Sequence, residues 1–232
     1  MKISTSIALS AITALLSGLG GAAQAQEQDN NTIRAGVYLV HYDAHAGDIS
    51  GPYVPPGVNL NVDNVQTMYF AYVRRLSSHF DLELAGGVPP KTSTVGQGPA
   101  KLGSVPYAGQ VVATSRWFSP SILLNYKFLE ESSPIRPYVG LGVNYAHFYD
   151  NTSTSAGNAA NGGPTSISLS DSFGAAATIG VSYRVQKHWS LNAAYAVSQV
   201  KSNMTANTSG AIRTTTIDFR PSAIVLSAGY SF

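Results

Sequence analysis

Trp189-Ser190-Leu191-Asn192-Ala193-Ala194-Tyr195-Ala196-Val197-Ser198 alternates with a period of two. Trp189, Leu191, Ala193, Tyr195 and Val197 fall on one face, and Ser190, Asn192, Ala194, Ala196 and Ser198 on the other. A period of two is the signature of a strand whose faces meet different surroundings. Here one face is apolar and aromatic and the other is small and polar. The preceding stretch repeats the pattern, with Phe173, Ala175, Ala177, Ile179, Val181 and Tyr183 opposite Gly174, Ala176, Thr178, Gly180 and Ser182.

Working outward, the same alternation appears around Ile33–Val40, Val65–Arg74, Phe80–Ala85, Ser121–Phe128, Val139–Ala146 and Ile224–Phe232, which makes eight strands. The links between them alternate in length. Residues 75–79, 129–135 and 186–188 are short, whereas 43–61, 88–114, 150–167 and 201–212 are long and rich in Gly, Pro, Ser, Asn and Thr. All long links therefore lie at one end. The expected fold is all-β, an eight-stranded antiparallel transmembrane β-barrel with short periplasmic turns and long extracellular loops. An even strand count puts both termini on the periplasmic side.

A soluble eight-stranded barrel shows the same alternation. The aromatic residues separate the two folds. One set lies beside the short turns (Phe80, Tyr126, Phe128, Tyr138, Tyr183, Trp189, Tyr230), and a second lies toward the long links (Tyr42, Trp117, Phe118, Phe148, Tyr149, Phe173, Phe219). Two such bands match the girdles at membrane interfaces. Tyr230 and the terminal Phe232 resemble the C-terminal insertion signal that the barrel-assembly machinery reads.

The N-terminus has Lys2, an apolar run from Ile3 to Leu19 and Ala23-Gln24-Ala25, the order of a cleaved secretory signal peptide. Residues 1–25 are thus assigned to export and 26–232 to a single barrel domain in the outer membrane of a Gram-negative cell. There is no cysteine, so neither disulfides nor thiolate metal sites contribute. Fourteen Lys and Arg against 12 Asp and Glu leave the charge nearly balanced, which gives no reason to expect nucleic acid as a partner.

Several segments together resemble the outer membrane protein W family, which includes alkane-uptake proteins. They are Ile33-Arg34-Ala35-Gly36, Asp81-Leu82-Glu83-Leu84-Ala85 leading to Val88-Pro89-Pro90-Lys91, Arg136-Pro137-Tyr138-Val139-Gly140-Leu141-Gly142-Val143-Asn144-Tyr145, Leu169-Ser170-Asp171-Ser172-Phe173-Gly174, Ile217-Asp218-Phe219-Arg220-Pro221 and Gly229-Tyr230-Ser231-Phe232. Phe173 stands where the family usually has Trp, and the family's Asp-Pro-Trp segment reads Asp218-Phe219-Arg220-Pro221 here. The resemblance implies an eight-stranded barrel with a narrow, largely apolar interior, associated with passage of small hydrophobic molecules.

Strand parity puts Arg34, Asp81, Glu83 and Lys127 on the lumen face, where unpaired charges are costly. Cross-lumen pairs of Arg34 and Lys127 with Asp81 and Glu83 are expected. Tyr38, Val40, Tyr69 and Leu123 are expected to line an apolar path. No residue constellation demands an enzyme. His147 sits near a strand end with no acidic orienter placed by sequence. His41, Asp43, His45 and Asp48 read as solvated loop residues because nearby Gly and Pro oppose the helix that would group the histidines. Gly140-x-Gly142 precedes no helix and is not a phosphate loop. No cofactor or metal is expected. The expected partners are outer-membrane lipid, the assembly machinery and small apolar solutes. The alternative is a non-transporting structural or adhesive surface barrel.

Overall fold

The computed structural model describes residues 30–232; the signal peptide assigned to residues 1–25 lies outside them. Eight antiparallel strands form the barrel: β1 (Asn31–Tyr42), β2 (Val65–Arg75), β3 (Phe80–Gly87), β4 (Ser121–Lys127), β5 (Ile135–Ser153), β6 (Ser172–Arg184), β7 (Trp189–Ser198) and β8 (Pro221–Ser231). Each pairs with its neighbours in the chain, and β1 closes on β8 from Thr32↔Ser231 to Tyr42↔Pro221. Closure matters because an unpaired backbone N–H or C=O in hydrocarbon costs several kcal/mol.

The two faces follow the alternation. Ile33, Val37, Met68, Phe70, Leu84, Leu124, Leu141, Ile179, Leu191, Tyr195 and Leu226 project outward and are exposed. Arg34, Val40, Tyr69, Glu83, Asn125, Ala176, Asn192 and Val225 are buried inside. An outer wall of large apolar side chains around a partly polar interior inverts the soluble arrangement and suits lipid. Phe80, Tyr126, Phe128, Trp189 and Tyr230 form an exposed aromatic band beside the short turns, and the exposed Phe232 continues it.

Two expectations change. Tyr138 does not join the lower band: it is buried in the lumen. Of the second set, Phe148 and Phe219 are buried inside, and Tyr42 and Trp117 line the same interior space, so only Phe118, Tyr149 and Phe173 remain outside. Nearness to a strand end sets depth, but parity sets the face, and these side chains have inward parity.

The long links are not simple loops either. Lys91–Gln97 pairs with Val111–Phe118, β5 continues outward to Ser153, and Lys201–Thr208 pairs with Ala211–Asp218. Asn59–Val62 and Ser166–Leu169 join this outer sheet. A short helix, α1 (Ser155–Asn161), packs beside it, with Thr154 accepting a hydrogen bond from the Gly157 amide and Gly162 ending it in a left-handed conformation. The barrel therefore extends beyond the membrane wall as a β-built cap. Its core is apolar: Val58, Leu60, Val62, Tyr107, Val112, Met204 and Ile217 are buried within it.

Candidate functional site

The interior is built in two layers. The lower one is polar. Arg34 from β1 donates from Nη1 to Glu83 Oε2 at 3.0 Å, and Asn125 from β4 donates to the same oxygen at 2.8 Å. The Tyr69 hydroxyl from β2 donates to Glu83 Oε1 at 2.6 Å. Beside them Lys127 is paired with Asp81. The guanidinium of Arg34 also lies 5.7 Å from the centre of the Tyr138 ring. Arg34, Glu83 and Asn125 are 3%, 4% and 1% exposed, so this cluster fills the lumen, while Arg34, Asp81 and Lys127 also border a polar cavity of about 110 Å³ on the side of the short turns.

Small residues opposite these groups make the packing possible. A Cβ on Gly140 would meet Asn125 Oδ1 at 2.0 Å, and one on Gly180 would meet the Tyr138 ring at 2.6 Å. Two carboxylates face two cations, so the plug carries no net formal charge. Burying such pairs is tolerable when each charge is answered by a counter-charge and further hydrogen bonds. Here three donors converge on Glu83.

Above the plug the lumen turns apolar. A chamber of about 80 Å³ is walled by Tyr38, Val40, Leu123, Ala176, Val197 and Ala223, among others. Its roof is Tyr42, Trp117, Phe148 and Phe219, with Phe148 and Phe219 stacked at 5.2 Å and Tyr42 edge-on to Phe219 at 6.1 Å. The same four aromatics line a smaller cavity above, which shares Thr94, Ala113, Ile167 and Met204 with an outermost cavity of about 60 Å³. Three apolar spaces are thus stacked from the outer cap to the plug. Beside the outermost one, burial pushes the Tyr107 phenol up to about 12, and its hydroxyl donates to the Asn59 carbonyl at 2.8 Å.

The chamber wall is interrupted at a seam between β3 and β4. The β3–β4 ladder ends at Ala85↔Ser121 and resumes in the cap at Lys91↔Arg116. Between them lie Gly86-Gly87-Val88-Pro89-Pro90 on one side and Trp117-Phe118-Ser119-Pro120 on the other, with no backbone rung across; at the cap end the Arg116 guanidinium donates to the Pro89 carbonyl at 3.2 Å. Three prolines there have no N–H to donate. Gly87, Trp117 and Ser119 border the chamber at this seam.

All four lumen charges expected from sequence lie together in the plug. Of the expected apolar path, Tyr38, Val40 and Leu123 border the chamber, whereas Tyr69 sits a layer lower with its hydroxyl on Glu83. Asn125 and Tyr138 were not foreseen as plug residues. Their inward parity beside Glu83 and Gly140 was the available signal.

His147 gains an acidic neighbour that the sequence did not place. Asp171 accepts from the Tyr145 hydroxyl at 2.6 Å and lies 2.8 Å from His147 Nδ1, because β5–β6 pairing brings residues 24 apart in sequence side by side. The trio is on the outer surface, and among the described residues no serine hydroxyl is bonded to His147. His45 Nδ1 lies 2.9 Å from the Asp43 carbonyl. Among the described residues no group of three or more His, Asp or Glu could hold a metal ion.

A closed barrel with an apolar outer wall, an aromatic band and a charge-paired plug defines a small outer-membrane β-barrel protein. Residues 28–232 match the OmpW family, and the chain belongs to that family. Outer membrane protein W of Vibrio cholerae serotype O1 is 28% identical over 208 residues, covering 90% of this chain and 91% of the relative. Dibenzothiophene metabolism operon protein DoxH of Pseudomonas sp. strain C18 is 30% identical over 129 residues, 53% of this chain and 55% of the relative. Among solved structures, the outer membrane protein OprG from Pseudomonas aeruginosa superposes with a TM-score of 0.78 at 24% identity, over 87% of this chain and 95% of that one. The protein is therefore an outer-membrane barrel of a family that is not an enzyme family.

Proposed function

We propose that the protein is a passive conduit for small hydrophobic molecules, which descend through the stacked apolar cavities and leave sideways into the bilayer above the plug. The observation that carries this reading is an apolar chamber closed below by paired charges and bordered by a seam without backbone rungs. An apolar solute has little to gain from crossing Arg34, Glu83, Asp81 and Lys127, since displacing their hydrogen bonds leaves buried charges unanswered. The membrane interior, by contrast, is the medium it prefers. A relative named for a dibenzothiophene metabolism operon is consistent with a fused-ring aromatic compound as one such solute.

Uptake measurements separate this from the alternative of an adhesive or purely structural barrel. Cells lacking the protein should take up small alkanes and fused-ring aromatics more slowly, and restoring it should recover the rate. Unchanged uptake together with lost surface attachment would replace the conduit by the adhesive reading.

A further inference from the structure

We infer that the outer cavity is a binding site for amphiphiles with an anionic carboxylate head, held by Arg213. This deepens the conduit reading and rests on it for the path of the apolar tail. Arg213 comes from the cap strand Ala211–Asp218 and is only 8% exposed. Its hydrogen bonds all go to neutral acceptors: Nε to the Pro52 carbonyl at 3.1 Å, and Nη1 to Asn161 Oδ1 at 3.2 Å and Thr208 Oγ1 at 3.3 Å. No Asp or Glu among the described residues forms an ion pair with it, although Arg34, Arg75, Arg116 and Arg220 each have one.

A buried cation without a counter-charge is an unsatisfied electrostatic site. Its Nη2 has no protein partner among the described residues. Arg213 also borders the outermost cavity, whose other walls include Val54, Leu60, Leu102, Tyr107, Val112 and Met204. An apolar cavity with one convergent charge is the usual construction of a site for a ligand with an apolar body and one polar group. A guanidinium accepts a carboxylate by charge-assisted, potentially bidentate hydrogen bonds.

The tail has a defined course. The outermost cavity shares walls with the middle one, and that shares its aromatic walls with the chamber. Val112 borders the outermost cavity and Trp117 the lower two. They are five residues apart on one strand, at most about 17 Å at the usual rise, shortened by a bulge at Val112. A medium-length alkyl chain with its head at Arg213 would bring its end toward Trp117.

The full chain in lipid nanodiscs tests this through Trp117. The protein has two tryptophans, so a Trp189→Phe background leaves one reporter. The probes are 11-bromoundecanoate, whose bromine quenches indole, and its methyl ester, at a pH where the acid is ionised. The acid should half-saturate quenching at a concentration at least tenfold below the ester. Arg213→Gln should raise the acid's value about tenfold and leave the ester's unchanged, while Arg213→Lys should retain a preference for the acid. Equal affinity of acid and ester in the Arg213 protein would overturn the inference while leaving the conduit intact. So would Arg213→Gln weakening both alike, which would make Arg213 a fastening of the cap. Quenching by neither probe would remove the conduit reading as well.

Discussion

Replacing Glu83 by glutamine tests the plug with little change of shape. The carboxylate receives three hydrogen bonds, from Arg34, Asn125 and Tyr69. A glutamine can turn its oxygen to Arg34 and Asn125 and its amide to Tyr69, whose hydroxyl can rotate to accept. The bonds largely survive, but the charge opposite Arg34 does not. Removing one partner of a buried ion pair costs about 3–5 kcal/mol. With most hydrogen bonds retained, Glu83→Gln should lie near the lower end, about 3 kcal/mol, and Glu83→Ala near the upper end, about 5 kcal/mol. Arg34→Met combined with Glu83→Gln should recover about 2 kcal/mol of the summed single losses, which is the pair's coupling. Urea unfolding of the barrel in phospholipid vesicles measures all of these. A Glu83→Gln loss below about 1 kcal/mol, strictly additive with Arg34→Met, is the behaviour of a solvated pair and would refute a dry plug.

The outer wall gives a second prediction. Ile179 and Leu191 face outward, so Ile179→Lys near mid-strand should cost about 2–4 kcal/mol in lipid, and Leu191→Lys less because it lies nearer the lower band. Asn192→Lys, which points inward, should show no dependence on bilayer thickness; equal thickness dependence at 191 and 192 would contradict the assigned faces. At Gly180 the added methyl of alanine would meet the Tyr138 ring at 2.6 Å. That overpacking should cost about 1–3 kcal/mol, and Tyr138→Ala should relieve only part of it in the double variant, because the Ala193 carbonyl oxygen also lies 2.8 Å from the added methyl; a Gly180→Ala protein as stable as the parent would show that the lumen is not tightly packed there.

Strand parity made most of the barrel legible. It placed Arg34, Asp81, Glu83 and Lys127 inside because each alternates with a large apolar neighbour such as Ile33, Leu82 or Tyr126. The same rule applied to Tyr138 and Phe148 would have put them inside with Gly140. Counting aromatics near strand ends instead assigned them to girdles. The cap was read as loops because Gly, Pro, Ser and Asn obscure its pattern. Yet Ser202, Met204, Ala206 and Thr208 are buried between outward Lys201, Asn203 and Asn207, a strand alternation written in small and polar residues. Arg213 was not singled out, since its surroundings come from chain segments 52, 161 and 208 that only tertiary folding brings together. The Asp171–His147 contact likewise depends on the register between two strands.

The sideways exit is tested most directly by closing the seam reversibly. The next rung beyond Ala85↔Ser121 would pair Gly86 with Pro120, and a Cβ on Gly86 meets nothing within 4 Å. Gly86→Cys with Pro120→Cys, in a chain that has no other cysteine, would bridge the gap when oxidised. The measurement is the initial rate at which cells carrying this variant take up a small alkane, with and without reductant. The account predicts a severalfold slower rate under oxidation that reductant restores, with the rate of each single-cysteine variant insensitive to reductant. An oxidised, cross-linked barrel that takes up the alkane as fast as the reduced one would contradict it.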